Sequence, residues 1–408
     1  MGWGRWKTRL SDPFAAPSAV PAAALADEPL AVFPESVPAV EKRQTCANAA
    51  CLMTGTQLIG NRESAEGSET FNALDPVCGE KLEPAFHEAT EGEIDAALKL
   101  AVSASKFLRE STGAQRQSLL EAIAGEMEAD ADAIKARVGL ETGYPQARLD
   151  GEFARTCMQL RVFGKVAAEG SWVAARVDTA IPDRQPLPKP DLRRMLVPVG
   201  PVVIFGASNF PLAISVAGGD PASALAAGCP IVTKGHPSHP GSSELVARAV
   251  LRGVEKAGFP EGTVSMLQGA TNDTGRLLVE HPETRAVAFT GSLRGGRALF
   301  DIAAARPTPI PVYAEMGSVN PQFVLPGKLS ADPAAFADGL FGSVTMGNGQ
   351  FCTCPSIVFV PAGDALDAMV AQYLEQVAES AGAPLLNEGI ATGFDSGTQR
   401  WESVDGLE

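Results

Sequence analysis

Short apolar runs alternate with segments of helical spacing over residues 202–291. Four of these runs are short and continuous enough to be buried strands: Val202–Phe205, Ile231–Lys234, Val264–Leu267 and Ala286–Gly291. Helices are predicted between them, at about 211–227, 245–254 and 273–280. Alternation of strand and helix is typical of a parallel sheet with helices on both faces. We therefore predict an α/β fold built on a doubly wound parallel sheet.

Polar residues follow the carboxyl ends of these strands, where doubly wound sheets bind their ligands. Asn209, Lys234 and the run 290–292 fall there, so we expect them to face a common ligand. Each has a simpler alternative. Asn209 could cap the next helix, Lys234 could be a solvated strand end, and the run 290–292 could form a plain turn. No Gly-x-Gly-x-x-Gly fingerprint follows the first strand, so an ordinary dinucleotide-binding turn is not indicated.

The rest of the chain divides around this sheet. Residues 1–53 combine many prolines and alanines with no usable periodicity, so we predict a disordered extension. Three amphipathic helices follow at about 94–108, 119–138 and 152–168. Residues 177–197 are rich in proline and charge, which predicts an excursion from the main body. At 408 residues the chain should form two or more domains.

Charge and cysteine content exclude several classes of function. A net charge of −15 without a long basic run argues against nucleic acid or an anionic membrane as a partner. Residues 195–219 carry no charge, but three prolines interrupt them, so we reject a membrane span. The seven cysteines are scattered and odd in number, which argues for a reducing compartment, and we predict the cytoplasm. His236 and His239 each precede a proline, and we expect no metal there.

The run Gly347-Asn348-Gly349-Gln350-Phe351-Cys352-Thr353-Cys354-Pro355 places Cys352 between glycines and a proline. These residues favour a shaped loop that can present the sulfur to a ligand. Upstream, Glu315 ends an apolar run with the pattern of a strand. A thiol with a carboxylate that can act as a base is the outline of covalent catalysis. The simpler alternative is a buried cysteine that packs as a small apolar side chain.

Four motifs in this order resemble those of the aldehyde dehydrogenase superfamily: Phe205-Gly206-Ala207-Ser208-Asn209-Phe210-Pro211, Phe289-Thr290-Gly291-Ser292, Glu315-Met316-Gly317 and Gly349-Gln350-Phe351-Cys352. The similarity runs over about residues 54–391. In particular, the segments 188–193, 234–240 and 351–353 resemble those of α-ketoglutarate semialdehyde (2,5-dioxopentanoate) dehydrogenases. The resemblance implies a cofactor-binding domain at 54–308 and part of an α/β catalytic domain at 309–408.

The resemblance implies a role for each residue of the catalytic motifs. Cys352 is expected to attack the aldehyde carbonyl and form a thiohemiacetal. The Asn209 amide and the backbone N–H of Cys352 would bind the developing oxyanion. After hydride transfer leaves a thioester, Glu315 would activate the water that hydrolyses it. Because a free thiol is mostly protonated at neutral pH, we expect the site to lower the pKa of Cys352.

The resemblance also implies NADP or NAD as the cofactor. Lys234 corresponds to the lysine that contacts the adenosine ribose. Where NAD-preferring members often carry a glutamate, this chain has Pro237. Without that carboxylate a 2′-phosphate meets no repulsion, and His236 and Ser238 could donate hydrogen bonds to it. We therefore predict that NADP is tolerated or preferred. The other cofactor residues are expected to face the nicotinamide, the pyrophosphate or the adenine: Thr290, Gly291, Ser292 and Gly275.

The implied substrate is an acidic aldehyde, 2,5-dioxopentanoate. Arg155, Gln159 and Phe163 recur at helical spacing on one face, and with Phe210 they are the candidate substrate residues. Arg155 could pair with the carboxylate of the semialdehyde, or it could be an ordinary surface charge.

The pattern of the family continues beyond residue 408, which leaves more than one function open. The chain is either a working NAD(P)-dependent aldehyde dehydrogenase or an inactive fragment that binds a dinucleotide. A related acylating aldehyde dehydrogenase is a third alternative, which Glu315 disfavours because acyl transfer to a thiol needs no hydrolytic base. A homo-oligomer is expected of full-length members, and residues 177–197 are the candidate oligomerisation hairpin.

Overall fold

The computed structural model describes residues 53–404. The predicted N-terminal extension lies outside these residues, except for Met53. The Met53 side chain is only 6% exposed and packs in the main core. The folded part of the chain therefore includes Met53, which we had placed in the extension.

Strands and helices alternate through most of the described residues. The strands are β1 (Gln57–Ile59), β2 (Arg62–Ser64), β3 (Thr70–Leu74), β4 (Lys81–His87), β5 (Arg176–Asp178), β6 (Leu192–Arg194), β7 (Val202–Phe205), β8 (Ile231–Lys234), β9 (Val264–Leu267), β10 (Ala286–Gly291), β11 (Val312–Met316), β12 (Gln322–Phe323) and β13 (Val358–Phe359). The helices are α1 (Glu91–Glu110), α2 (Gly113–Ala129), α3 (Ala131–Thr142), α4 (Gln146–Glu169), α5 (Gly219–Ala226), α6 (Pro240–Lys256), α7 (Asn272–Glu280), α8 (Leu293–Ala305), α9 (Pro326–Ala331), α10 (Pro333–Thr345), α11 (Asp364–Glu379) and α12 (Glu388–Glu402). None of these helices is long and apolar enough to cross a membrane.

The central sheet has seven strands in the order β11-β10-β7-β8-β9-β1-β2. Strands β7 to β11 run parallel, whereas β1 and β2 add antiparallel beyond β9. Every residue of β7 and β9 is buried, as expected for parallel strands covered on both faces. The predicted doubly wound α/β fold is confirmed. Strand β11 belongs to the same sheet, so the sheet extends past the domain boundary that we predicted at residue 308.

Helices cover both faces of this sheet. Helices α2 to α6 pack on one face, around a core that includes Leu119 and Ile204. Helices α1, α7 and α8 cover the other face, around a core that includes Leu278 and Val203. Neighbouring residues of β7 thus enter opposite cores, because successive side chains of a strand point to opposite faces.

Two predicted helices differ in the structure. The segment predicted as a helix at 211–227 is helical only over α5, and residues 211–218 form turns and bends. The chain folds back tightly there: the N–H of Gly219 bonds to the carbonyl of Ala213 at 3.0 Å. A Cβ at Gly218 would lie 2.0 Å from that carbonyl oxygen, so a regular helix of ordinary residues does not fit. The helix predicted at 119–138 is the pair α2 and α3, separated at Asp130, which leaves helical dihedrals.

Two smaller structures flank the central sheet. Strands β5 and β6 pair antiparallel within the predicted excursion, where Val177 and Leu187 are 65% and 68% exposed. Strands β12 and β13 pair parallel, and helices α9 to α11 pack around a small separate core that includes Leu340. Phe323 and Leu325 of this second region remain 71% and 72% exposed. Both flanking structures therefore present apolar side chains to solvent.

Candidate active site

A cleft of about 1070 Å³ opens at the carboxyl ends of β7 and β10. The strand order reverses here, since β8 and β9 lie on one side of β7 while β10 and β11 lie on the other. Doubly wound sheets bind ligands at such a switch point. The cleft is lined by nine of the candidate site residues: Asn209, Lys234, His236, Gly275, Thr290, Gly291, Ser292, Glu315 and Cys352. The fold thus brings the candidate catalytic and cofactor residues into one cleft.

Cys352 is half-buried in this cleft, on a loop whose conformation requires glycine. Gly347, Asn348 and Gly349 have positive φ angles of 60°, 59° and 72°. A Cβ at Gly347 would also lie 2.1 Å from the ring of Phe351. A side chain at position 347 would therefore displace the residue that directly precedes the candidate nucleophile.

Two residues that we had not singled out hold the backbone carbonyl of Cys352. Nδ2 of Asn320 donates to it at 2.6 Å, and Oγ of Ser318 donates to the same oxygen. Asn320 has a φ of 47°, a left-handed conformation that asparagine tolerates better than most residues. These contacts fix the direction of the backbone at the sulfur-bearing residue. A sequence pattern does not reveal these contacts, because Ser318 and Asn320 follow β11 and are remote from Cys352 along the chain.

Glu315 reaches Cys352 from the central sheet. It lies on β11, opposite Thr290 in the register of β10, and its carboxylate lies near enough to the Cys352 thiol to affect its charge. Burial, followed by the negative charge of Glu315, raises the pKa of Cys352. Our expectation of a lowered pKa is therefore wrong for the protein alone, because the nearest charged group is an anion that disfavours a thiolate. Glu315 itself is exposed in the cleft, where water can reach it.

Asn209 lies after β7 and points its amide at the catalytic loop. Its Nδ2 donates to the backbone carbonyl of Gln350 at 2.7 Å, two residues before Cys352. Asn209 does not cap the next helix, since the N-cap of α5 is Gly218. A side-chain amide carries two N–H groups. One orients the amide through Gln350, and the other can serve a ligand in the cleft.

Asp220, in the first turn of α5, adds a further carboxyl group near Glu315. Burial, followed by the charge of Glu315, raises the pKa of Asp220. Two neighbouring carboxylates favour a proton on one of them. We had not singled out Asp220, because its approach to Glu315 depends on how α5 packs beside the sheet.

Lys234 ends β8 and turns into the cleft rather than into bulk solvent. Its Nζ donates to the carbonyl of Gly269, and burial lowers its pKa to about 8, against the opposing charge of Glu88. The alternative of a solvated strand end is therefore wrong. The amine therefore lies inside the cleft, at the carboxyl end of β8.

Of the two donors proposed for a 2′-phosphate, His236 lines the cleft beside Pro237, and Ser238 does not. Burial, followed by the neighbouring basic side chains, holds the pKa of His236 well below its ordinary value, so the ring is neutral. Nδ1 of His236 accepts the N–H of Ser238 at 3.1 Å, which leaves the ring proton on Nε2. The Ser238 hydroxyl instead accepts a hydrogen bond from Asn387 at 2.9 Å.

A buried carboxylate fixes the end of this cofactor loop, where it enters α6. Glu141, at the end of α3, is 0% exposed and accepts the N–H groups of Gly241 and Ser242, both at 2.8 Å. Nε of Arg137 pairs with the same carboxylate at 3.0 Å. Negative charge is favoured at a helix N-terminus. The loop is thereby tied to the helical layer behind it.

The walls of the cleft fit a dinucleotide. Leu299 and Ile302 of α8 form an apolar wall with the ring of Phe205. A Cβ at Gly275 would lie 3.5 Å from that ring. The start of α8 also faces the cleft: Ser292 caps it by accepting the N–H of Gly295 at 3.1 Å. Helix N-termini bind phosphate. An adenine against the apolar wall and a pyrophosphate at the start of α8 match this chemistry.

Arg294, Asn387 and Ile390 are among the other residues of the cleft that were not predicted. Arg294 follows the Gly291-Ser292 motif and is exposed. Asn387 and Ile390 belong to the start of α12, far along the chain from the strand ends. A helix pattern locates α12 in the sequence but does not show that it returns to this cleft.

The four candidate substrate residues do not line the cleft. Arg155, Gln159 and Phe163 share α4 at the predicted spacing. Arg155 is exposed, and its guanidinium carbon lies 5.5 Å from the centre of the Phe210 ring. That ring stacks on Phe351 at 4.6 Å between centroids. Arg155 is therefore linked to the catalytic loop through two aromatic rings.

Comparison with known proteins assigns this site to a family. Residues 63–394 match the aldehyde dehydrogenase family, a span that contains all three candidate catalytic residues. The chain belongs to the aldehyde dehydrogenase family. Enzymes of this family are NAD(P)-dependent, which agrees with a cleft that fits a dinucleotide.

Three relatives illustrate the similarity. Alpha-ketoglutaric semialdehyde dehydrogenase 2 of Azospirillum brasilense is 46% identical over 356 residues, covering 87% of this chain and 68% of that protein. Alpha-ketoglutaric semialdehyde dehydrogenase of Acinetobacter baylyi is 40% identical over 343 residues, covering 84% of this chain and 65% of that protein. The crystal structure of succinate-semialdehyde dehydrogenase from Burkholderia pseudomallei superposes with a TM-score of 0.68 at 29% identity, covering 83% of this chain and 68% of that one. The chain spans about two thirds of the length of these relatives.

Proposed function

We propose that this protein oxidises 2,5-dioxopentanoate to the corresponding carboxylate with NADP or NAD. The observation that carries the proposal is the meeting of Cys352, Glu315 and Asn209 in the cleft that also contains the candidate cofactor residues. Two relatives at 40% and 46% identity bear the name of α-ketoglutaric semialdehyde dehydrogenases, which supports the choice of aldehyde.

Cys352 and Glu315 act together in the first step. The pKa of the thiol is raised, so Glu315, the neighbouring carboxylate, takes the proton as the sulfur attacks the aldehyde carbon. The carbonyl oxygen becomes an oxyanion, which accepts hydrogen bonds from the second N–H of Asn209 and the backbone N–H of Cys352. A bound NAD(P)⁺ would supply the hydride acceptor for this carbon, and Cys352 would then carry the acyl group as a thioester.

Glu315 then serves the second step. Exposed in the cleft, it releases its proton to solvent and takes another from a water molecule. The resulting hydroxide attacks the thioester carbon, the carbon–sulfur bond breaks, and the carboxylic acid leaves. The Cys352 thiolate regains a proton, which returns the site to its starting state.

The cofactor residues favour NADP. We infer that Lys234 donates to the adenosine ribose and that Nε2–H of neutral His236 donates to a 2′-phosphate, since both side chains line the cleft. Pro237 carries no charge, so a phosphate meets no repulsion at that position. Gly291 and the capped start of α8 accommodate the pyrophosphate.

Arg155 is the proposed partner of the substrate's carboxylate. It makes no ion pair with any other described residue, and it lies beside Phe210, which stacks on the residue preceding Cys352. Arg155→Gln should raise KM for 2,5-dioxopentanoate and leave KM for pentanal, which has no carboxylate, unchanged. Equal changes in KM for the two aldehydes would show that Arg155 does not bind the carboxylate of the substrate.

The experiment that tests the function is a rapid-mixing assay with NADP and 2,5-dioxopentanoate. Formation of NADPH at one equivalent per Cys352, followed by steady turnover and free acid as product, is expected. Absence of the burst in the wild type would refute the proposal. A product found as a coenzyme A thioester would indicate an acylating enzyme instead.

A dinucleotide-binding fragment without turnover is the second candidate. The exposed Phe323 and Leu325 favour it, because they show that the second region carries unburied apolar surface. In that case calorimetry would detect NADP binding while the burst assay stays blank.

We propose the hairpin of β5 and β6 as the contact between copies of this chain, since its apolar residues are exposed. Leu187→Asp should then lower the mass measured by light scattering. The five free cysteines of the described region suit a reducing compartment, and we propose the cytoplasm.

A further inference from the structure

The guanidinium of Arg148 lies among three aromatic rings behind the catalytic loop. Its central carbon is 4.7 Å from the ring centre of Phe210, 4.8 Å from that of Phe351 and 5.2 Å from that of Tyr144. A guanidinium is attracted to the faces of such rings, and its flat shape stacks on them in a way that an ammonium cannot reproduce.

Two of these rings are next in sequence to the two groups that act in the first step of the proposed reaction. Phe210 directly follows Asn209, the candidate oxyanion donor, and Phe351 directly precedes Cys352, the candidate nucleophile. The two rings also stack on each other, with centroids 4.6 Å apart. One guanidinium therefore contacts the neighbours of both groups whose relative position decides the first step.

The position of Arg148 is itself well determined. Nη1 pairs with Glu152 at 2.7 Å, and Glu152 accepts the N–H groups of Leu212 and Ala213 at 2.8 and 2.9 Å. Nη2 of Arg148 also donates to the carbonyl of Asn209 at 3.4 Å. The ion pair is thus tied to the backbone on which Asn209 and Phe210 lie.

Stability alone does not explain this arginine. Its Nε is buried and has no hydrogen-bond partner among residues 53–404, which carries a desolvation cost. Replacing a buried ion pair by apolar residues is often neutral or stabilising. The contact of the guanidinium with the Phe210 and Phe351 rings is what an apolar replacement would lose.

We infer that Arg148 is a positioning residue, which holds the loop of Asn209 and the loop of Cys352 at a fixed separation. The inference rests on the proposed function for its kinetic consequence, but its structural consequence is independent of turnover. Loss of the planar guanidinium should loosen the catalytic loop and expose Cys352. It should also separate the nucleophile from the oxyanion donor.

Arg148→Lys is the direct test, because lysine keeps the charge opposite Glu152 and loses the flat fork. Arg161→Lys is the matched control on the same helix, since among residues 53–404 Arg161 pairs only with the surface carboxylates of Glu121 and Glu128. Alkylation of each cysteine by iodoacetamide is followed by mass spectrometry. Cys157, which is 3% exposed on the same helix, reports any general loosening of the fold.

We expect Arg148→Lys to alkylate several-fold faster at Cys352 with no change at Cys157, and Arg161→Lys to match the wild type at both. Turnover should fall by about 10²-fold, the cost of ångström-scale misplacement, while the Kd for NADP stays constant. An unchanged Cys352 rate would overturn the inference, whether or not the wild type turns over. An equal rise at Cys157 would do so too. If Arg148→Lys does not fold, Phe351→Leu keeps the ion pair, removes one ring and must give the same pattern.

Discussion

Asn209 makes a structural hydrogen bond and also has a proposed catalytic role. The free energies that these two contributions supply differ in magnitude. In Asn209→Ala the hydrogen bond to the Gln350 carbonyl at 2.7 Å is lost. A hydrogen bond of this kind contributes about 0.5–1.5 kcal/mol to folding. An oxyanion donor contributes about 2.7–4 kcal/mol to the transition state, which corresponds to roughly 10²–10³-fold in kcat. We therefore expect a small loss of stability and a much larger loss of turnover.

Asn320→Ala is a matched control for this experiment. Asn320 also donates its amide to the catalytic loop, through the carbonyls of Cys352 and Cys354 at 2.6 and 3.0 Å. It does not line the cleft, so its loss removes a loop contact without removing an oxyanion donor. Its kcat should fall much less than that of Asn209→Ala.

Single-turnover formation of NADPH measures the catalytic effect, and urea unfolding measures the effect on the free energy of unfolding. If both variants lose turnover to the same extent, loop anchoring accounts for Asn209 and its oxyanion role is refuted. A loss below about tenfold in Asn209→Ala would lead to the same conclusion, because it falls short of a lost oxyanion donor.

Three further outcomes follow from the charges of the site. Glu315→Gln removes the anion that, second to burial, raises the pKa of Cys352. The alkylation–pH curve of Cys352 should therefore move to lower pH, and thioester hydrolysis should slow. An unmoved curve would contradict this. Pro237→Glu places a carboxylate beside the expected 2′-phosphate and should lower the ratio of kcat/KM for NADP to that for NAD; an unchanged ratio would place the phosphate elsewhere. Glu141→Gln leaves a buried arginine without its carboxylate and should cost about 3–5 kcal/mol in urea unfolding; a cost under about 1 kcal/mol would show that the pair does not anchor α6.

The parallel sheet was predictable because its signals are local. A strand buried on both faces must be a continuous apolar run, and β7 to β10 have the bounds that those runs indicate. The approach of Glu315 to Thr290 was predictable in outline for a similar reason, since the carboxyl ends of parallel strands meet at one edge. The turns at 211–218 were not, because the tight fold that brings Gly218 against the carbonyl of Ala213 is a property of the folded backbone.

Predictability ends where side chains from distant segments meet. Ser318 and Asn320 hold the carbonyl of Cys352, and the guanidinium of Arg148 contacts Phe210 and Phe351 from two other segments. No periodicity in the sequence indicates either arrangement. The same limit explains Ser238. It lies two residues from His236 in the loop, yet it turns to Asn387 instead of the cleft.

The amino-acid sequence alone determined the α/β class and the family, and it identified Cys352, Glu315 and Asn209 as candidate catalytic residues. This was possible because each strand and each motif consists of residues that are adjacent in the sequence. Only the tertiary structure decided the electrostatic state of the site. The pKa of Cys352 rises rather than falls because burial and the Glu315 carboxylate act on it through space. Electrostatic and stacking energies depend on separations of a few ångströms between groups that are remote along the chain, and only the folded arrangement sets those separations.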